Sequence, residues 1–393
     1  MTEWPARCTR VVFLAPRLPE MSGGATYVEN MSRGLAALGV RVEHVSLRPG
    51  DAPANFPTYV VDPHDFARSG SALRGRRGVR AGLTAVPLIA RKRLDRWWRR
   101  RKLRAKLRGC GSETLLVFTH VLAKQVVDES GWRPAGNNRP LMVGQHHSQF
   151  EAIDIEEWLR PAMLQHYRDL DALTALTEQD AEQFSHLLPA PCVGIGNPLN
   201  PVTSTRSAEQ KEPLAVALAR YSGEKQLDLM IRSFAAATSR SGLGHWRLEI
   251  YGEGALGEAL QREIDLLGVG DRIRLAGRTD DVPSVLGRAS VNLLTSSYEG
   301  FGMSILEAAA QEVPSIAFDV SPGVRDLIGE EGGYLVPAGD EQAFTQTLGS
   351  ALADPEALAT RGRAARLGTQ RFSVDAVLER WAELLSECYR RRR

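Results

Sequence analysis

The sequence predicts an α/β protein made of two doubly wound parallel-sheet units joined by a linker. Three observations predict it. Short, nearly all-apolar runs alternate with longer helical patterns, as expected when parallel strands are covered on both faces. The alternation occurs twice along the chain. Between the two series lies a stretch, 197–212, rich in Pro, Ser, Thr and charge, which reads as a linker. A length of 393 residues suits two domains better than one.

In the first series the strands are expected at 11–15, 42–46, 114–118, 141–144, 172–176 and 192–195, with helices at 26–38, 153–170 and 179–187. The second series places strands at 214–218, 247–251, 272–276, 291–294, 315–318 and 333–336, with helices at 224–237, 256–267, 304–312, 341–353 and 373–389. The expected domains are 1–198 and 199–371, with 372–393 packing back on the first. Two such halves would place a ligand cleft at the carboxyl ends of their strands.

Composition excludes several classes. The chain is 43% hydrophobic and 24% charged, so it is neither disordered nor collagen-like. Four cysteines stand without metal-ligand or disulfide spacing, so inert thiols in a reducing compartment are expected. No apolar run is long enough for a membrane span, and the short run at 11–15 does not read as a signal peptide. The expectation is a cytoplasmic protein, free or peripheral at the inner membrane face. The net charge of +2 hides an asymmetry: residues 91–108 hold eleven Lys or Arg and one acid, Asp95.

The chemistry concentrates in 297–310, SYEGFGMSILEAAA. A glycine-containing turn follows an apolar strand and leads into a strong helix start, so backbone N–H groups there offer a phosphate site. Gly300 and Gly302 let a ligand approach the backbone closely. Glu299 and Glu307 are eight residues apart, and carboxylates accept paired hydrogen bonds from vicinal hydroxyls. Upstream, ARYSGEK places Arg220 five residues before Lys225. Gly23 and Gly24 follow the first strand as a strand–helix turn, but without a full G-x-G-x-x-G, so NAD binding is poorly supported. His146 and His147 follow the strand at 141–144, and they have no apparent third ligand for a metal.

These residues resemble the family 4 retaining glycosyltransferases of the two-domain GT-B fold, whose E-x7-E motif sits in EGFGxxxLEAxA. The resemblance extends over almost the whole chain, including GEKQLDLMIRSFAAA at 223–237, YGEGALGEALQREIDLLGVGDRIRLAG at 251–277 and GGYLVPAGD at 332–340. It implies a GT-B fold whose carboxyl-terminal helix crosses back to the first domain. Glu307 would bind the donor ribose and Glu299 the donor sugar. The Gly300, Phe301, Gly302 and Met303 backbone would meet the sugar or diphosphate, which Arg220 and Lys225 would neutralise. Gly277 and Arg278 match the loop that holds the base, Gly23 and Gly24 approach phosphate or acceptor, and one His, with His147 the better fit, lies close to the donor sugar. The family more often has Gly-Arg-Leu where this chain has Ala219-Arg220-Tyr221, which leaves the cation but alters the loop.

The resemblance implies hexosyl transfer with retention from a nucleoside-diphosphate sugar, UDP by default, to a hydroxyl acceptor. No cofactor is expected. No DxD signature is evident, so metal-independent transfer is expected, with the two cations and the helix end in the role of Mg²⁺. The wording GEKQLDLMI and the QHHSQ loop are similar to the polyol-phosphate (teichoic acid) α-glucosyltransferase branch. The basic stretch 90–109, carrying Trp97 and Trp98, has three readings: a segment lying on an anionic membrane, a binding face for an anionic polymer acceptor, or a solvated helix with snorkelling Arg stems. It lacks the aromatic platform of a nucleic-acid module, so no nucleic-acid partner is expected. Two other readings stay open, a nucleotide-sugar epimerase of similar architecture and a natural-product glycosyltransferase.

Overall fold

The structure is a computed structural model that describes residues 3–18, 23–50, 54–62, 97–134, 136–199, 210–239 and 242–392. The chain divides into two compact units, Met1–Ile195 with Leu378–Arg393, and Gly196–Val377.

The first unit is a seven-stranded sheet in the order β3-β2-β1-β4-β5-β6-β7. Its strands are β1 (Arg10–Leu18), β2 (Arg41–Pro49), β3 (Thr58–Val60), β4 (Thr114–Phe118), β5 (Leu141–Gln145), β6 (Ala172–Ala175) and β7 (Cys192–Gly194). Every neighbouring pair is parallel. All residues of β4 and β5 are buried, which explains why these segments read as unbroken apolar runs instead of alternating. The helices are α1 (Gly23–Ala37), α2 (97–107), α3 (Val121–Glu129), α4 (Leu159–His166) and α5 (Glu178–Leu187).

The second unit is a six-stranded sheet in the order β10-β9-β8-β11-β12-β13. It comprises β8 (Leu214–Leu218), β9 (Arg247–Tyr251), β10 (Ile273–Gly277), β11 (Val291–Leu294), β12 (Ser315–Asp319) and β13 (Gly333–Pro337). Its helices are α6 (Leu227–Thr238), α7 (Gly257–Leu267), α8 (Val282–Arg288), α9 (Met303–Ala310), α10 (Pro322–Ile328), α11 (Glu341–Leu352) and α12 (Pro355–Gly368). The core of this unit gathers Phe234, Trp246, Ile264, Phe318 and Phe344, each at most 2% exposed.

The last helix, α13 (Val374–Arg391), starts in the second unit, and from Leu378 onward it belongs to the first. Trp381 and Leu385 on it are buried. Arg380 donates to Glu178 and to the Gly194 carbonyl, and Arg392, just beyond the helix, donates to Asp171 and the Pro140 carbonyl. The helix that the resemblance implies should return to the first domain is thus tied there by both apolar and charged contacts. The expected boundaries were 198 and 371; the compact units divide at 195 and 377.

Several expected elements change. The helix expected at 153–170 is a 3-10 turn (Phe150–Asp154) followed by α4. Pro161 has no N–H to bond an earlier carbonyl, so it is confined to a first helical turn. The helix expected from 224 begins at Leu227, because Gln226 adopts φ 45° and breaks the helix after a 3-10 turn over Gly223–Lys225. Helix α1 begins at Gly23, so Gly23 and Gly24 form its first turn and not the loop before it. Strand β3 and helices α3, α8, α10 and α12 were not anticipated. Three of those helices carried readable starts: Asp281, Ser321 and Asp354 cap them, each with proline at the first or second helical position. Parts of the linker (200–209) and of the basic stretch (90–96) lie outside the described residues.

Phe234 is fully buried between α6 and the second sheet's core. Phe234→Ala should therefore lower unfolding stability by about 3–5 kcal/mol; a urea midpoint equal to that of the parent protein would contradict this packing.

Candidate functional site

Strands β8 and β11 are adjacent, pairing Val291 with Ala215 and Asn292 with Val216. The loops that leave their carboxyl ends must therefore run side by side. The first is 219–226 and the second is 295–302. Thr295 donates its hydroxyl to the carbonyls of Lys225 (3.0 Å) and Gln226 (3.1 Å), and the Ser297 N–H donates to the Glu224 carbonyl at 2.8 Å. Lys225 Nζ then meets Glu299 Oε1 at 2.6 Å, with both side chains largely buried. Ser296 donates to the same carboxylate oxygen at 2.7 Å.

Glycine makes this loop possible at two points. Gly302 has φ 92° and precedes α9 with no side-chain cap, so the first N–H groups of that helix are left for a ligand. At Gly323, on α10, a Cβ would lie 2.7 Å from the Gly300 carbonyl oxygen, so only glycine lets the loop approach that helix. Phe301 turns inward, 3% exposed, with its ring edge-on to Phe372 at 5.5 Å. The side chain is thus an anchor, and Gly302 beside it is buried too, whereas Gly300 and Met303 are partly exposed. At the helix start the Asn197 amide donates to Met303 Sδ at 3.5 Å.

Glu307 lies one turn into α9, half-buried, and burial raises its carboxyl pKa to about 7. Desolvation is the sole cause of the shift, with no charged neighbour offsetting it.

Arg220 is placed differently from the expectation. It is exposed and donates to Glu224 Oε1 at 3.0 Å, so it does not join the Lys225–Glu299 pair directly. Glu224 connects them: it holds Arg220 while its backbone carbonyl receives the Ser297 N–H. Gly277 ends β10 with φ 71° and accepts the Gly252 N–H at 2.9 Å. Arg278 pairs with Glu253 at 3.1 Å, so Gly277 and Arg278 sit at the edge of the same sheet, two strands from β8.

In the first unit His146 and His147 follow β5, and Gly23 and Gly24 open α1. His146 faces the Gln149 carbonyl at 3.3 Å and packs its ring against Phe184, and burial lowers its pKa to about 4. His147 sits edge-on to Tyr27 of α1 at 4.8 Å, so its ring and the first turn of α1 share the carboxyl edge of that sheet.

Sequence reading missed Ser296, Thr295, Glu224 and Asn197. Their work is to position the loop, and hydroxyls and amides one or two residues from a motif carry no distinctive spacing. The adjacency of β8 and β11 reveals the first three, and the contact with Met303 reveals Asn197. Among the described residues, no group of three or more His, Cys, Asp or Glu could hold a metal ion. All four cysteines are free.

The fold is the GT-B arrangement of two Rossmann-like parallel-sheet units, and residues 204–368, which contain the Lys225–Glu299 site, match the family of glycosyl transferases group 1. Among relatives, the chain is 31% identical over 298 residues to the exopolysaccharide phosphotransferase SCO2592 of Streptomyces coelicolor, covering 74% of this chain and 30% of that one. It is 25% identical to the poly(glycerol-phosphate) alpha-glucosyltransferase of Bacillus subtilis, covering 56% of this chain and 33% of the relative. The chain thus spans about a third of the length of these two relatives. Among solved structures, S. aureus TarM in complex with fondaparinux, alpha-GlcNAc-glycerol and UDP superposes with a TM-score of 0.73 at 13% identity, covering 96% of this chain and 99% of that one.

The raised Glu307 pKa makes a pH prediction. Below its unfolded value of about 4.5 the carboxyl is protonated in both states and contributes nothing. As pH rises toward about 7 the unfolded chain ionises while the folded carboxyl resists, so stability is lost across that window and not regained above it. Glu307→Gln removes the penalty. The variant should gain on the order of 2 kcal/mol relative to the parent between pH 5 and pH 8; parallel pH–stability curves would show that Glu307 is not desolvated.

Proposed function

We propose that the protein is a retaining, metal-independent hexosyltransferase that moves a sugar from a nucleoside diphosphate, UDP by default, to a hydroxyl of a cell-surface polymer. The observation that carries this reading is the Lys225–Glu299 pair, set at 2.6 Å beside the uncapped start of α9 with Glu307 on the following turn. One short segment thus offers a cation, free backbone donors and two carboxylates, a set matched to a diphosphate flanked by two polyhydroxylated rings.

In this reading Glu307 accepts hydrogen bonds from the ribose hydroxyls and Glu299 from the sugar hydroxyls. Lys225 and the N–H groups of residues 302–304 face the diphosphate, and Arg220 swings from Glu224 to join them. Gly277 and Arg278 flank the base. The bond from the sugar anomeric carbon to the diphosphate oxygen breaks as the acceptor oxygen bonds to the same face of that carbon. The acceptor proton passes to the departing diphosphate, whose growing charge the two cations stabilise. No covalent residue is required, so positioning and electrostatics supply the catalysis. His147, Gly23 and Gly24 are the first unit's contribution, at the carboxyl edge of its sheet. The polymer acceptor is supported by the relatives named for exopolysaccharide and poly(glycerol-phosphate). Lys225 and a helix end at the site, with Arg220 on the adjoining loop, support transfer without a metal.

The reading is tested with UDP-sugars and the whole chain. Glu307→Ala should weaken UDP binding at least tenfold by calorimetry, since the ribose loses its acceptor; unchanged affinity would remove Glu307 from the site. Arg220→Ala combined with Lys225→Ala should lower kcat by about 10²–10³-fold. The product's anomeric configuration, read by NMR, should match the donor's, and chelator should leave the rate unchanged. Formation of an epimerised nucleotide-sugar in the absence of acceptor would overturn transfer as the activity.

A further inference from the structure

The first unit carries a second cationic site that the proposed transfer chemistry does not use. It lies at the amino-terminal edge of the sheet, where the chain leaves α2 and enters β4 and where the segment after α3 approaches β5. A cavity of about 530 Å³ opens there, lined by Arg104, Arg108 and Arg133, with Trp132, Glu113 and Asn138.

Two of the three guanidinium groups are oriented by backbone carbonyls, which do not neutralise them. Helix α2 is fixed by Leu103 and Leu107, both fully buried, which turns its other face outward. Arg104 donates its Nε and Nη2 to the Ser130 carbonyl, and Gly131 keeps the space open: a Cβ there would lie 2.8 Å from Arg104 Nη2. Arg133 donates to the carbonyls of Trp132 (2.9 Å) and Asp128 (3.5 Å). Carbonyls orient a guanidinium and leave its charge intact. The Arg108 guanidinium has no hydrogen-bond or ion-pair partner among the described residues. The one carboxylate, Glu113, is engaged by the Gly111 N–H at 3.2 Å and the Thr114 hydroxyl at 3.0 Å.

From this cavity the exposed face of α2 continues through Lys102 and Arg101 to Trp97 and Trp98, about 50% and 48% exposed. A concave site with three guanidinium groups suits a tetrahedral oxyanion, and a cationic stripe leading away from it suits a ligand whose charge repeats. A flat bilayer would meet the stripe but not the cavity.

We propose that the Arg104–Arg108–Arg133 cavity anchors phosphodiester groups of an anionic polymer, away from the carboxyl edge where His147 lies. The proposal rests on the transfer reading for its purpose, not for its binding. Strand β4 separates the two edges by five residues, about 16 Å at 3.3 Å per residue. Only a ligand of several repeats reaches both, so anchoring would make the protein selective for long acceptors.

The test uses the full chain and a fluorescent glycerol-phosphate oligomer, with glycerol phosphate as the short control. Arg108→Glu and Arg133→Glu together should weaken oligomer binding at least tenfold by anisotropy, raise KM for the oligomer, and leave kcat and UDP affinity unchanged. Affinity of the parent should fall with salt and rise with oligomer length. Arg108→Lys should retain most of the binding, which separates charge from fold. Equal oligomer affinity in the double Glu variant would overturn the proposal. So would oligomer affinity independent of length, or loss confined to binding of vesicles rich in an anionic phospholipid, which would make the cavity a membrane contact. Failure of the parent to bind UDP would sink the transfer reading while leaving oligomer binding to decide this one.

Discussion

The second unit depends on the contact between Lys225 and Glu299. Each belongs to a loop that leaves the carboxyl end of a central strand, and both are largely buried. A buried ion pair of this kind is a poor source of stability, because two charges lose their hydration to form it. Its value lies in placement. The pair fixes the 223–226 turn against the 295–299 turn, and several neighbouring donors reinforce the same alignment. Thr295, Ser296 and Ser297 each add a bond across the two loops or onto the carboxylate.

That alignment also explains the strained features nearby. Gln226 holds φ 45°, a left-handed conformation uncommon outside glycine, and its carbonyl is gripped by Thr295. The residue ends the 3-10 turn and starts α6, so the backbone must change direction where Lys225 points at Glu299. Phe301 buries its ring, and Gly302, itself buried, starts α9 without a side-chain cap. Apolar packing thus anchors this segment from inside. Glu307 completes it at a cost, since its carboxyl is desolvated without a partner.

The first unit is built on the same plan and used differently. Its carboxyl edge carries His147 and the first turn of α1, whereas its amino edge carries the arginine cavity. The helix between them in sequence, α2, gives up only two leucines to the core and leaves its cations outside. A basic run that looks like one feature in the sequence is therefore divided. Arg99 and Lys106 are spent on Asp62 and Glu43, at 3.0 and 2.8 Å. Arg108, just past the helix, has no side-chain partner among the described residues.

The sequence by itself determined the two parallel sheets, because strands buried on both faces have to be apolar throughout, and it determined the loop–helix segment around Glu299 and Glu307, because glycine turns and helix starts are local. It could not determine which side chains meet. Arg220 and Lys225 are equally basic and five residues apart, yet one pairs with Glu224 at the surface and the other with Glu299 in the interior. That choice follows from β8 lying beside β11, strands far apart in the chain. Nor could it foresee Thr295 bonding to the Lys225 and Gln226 carbonyls, since that depends on neighbours that only the folded chain brings within hydrogen-bond reach.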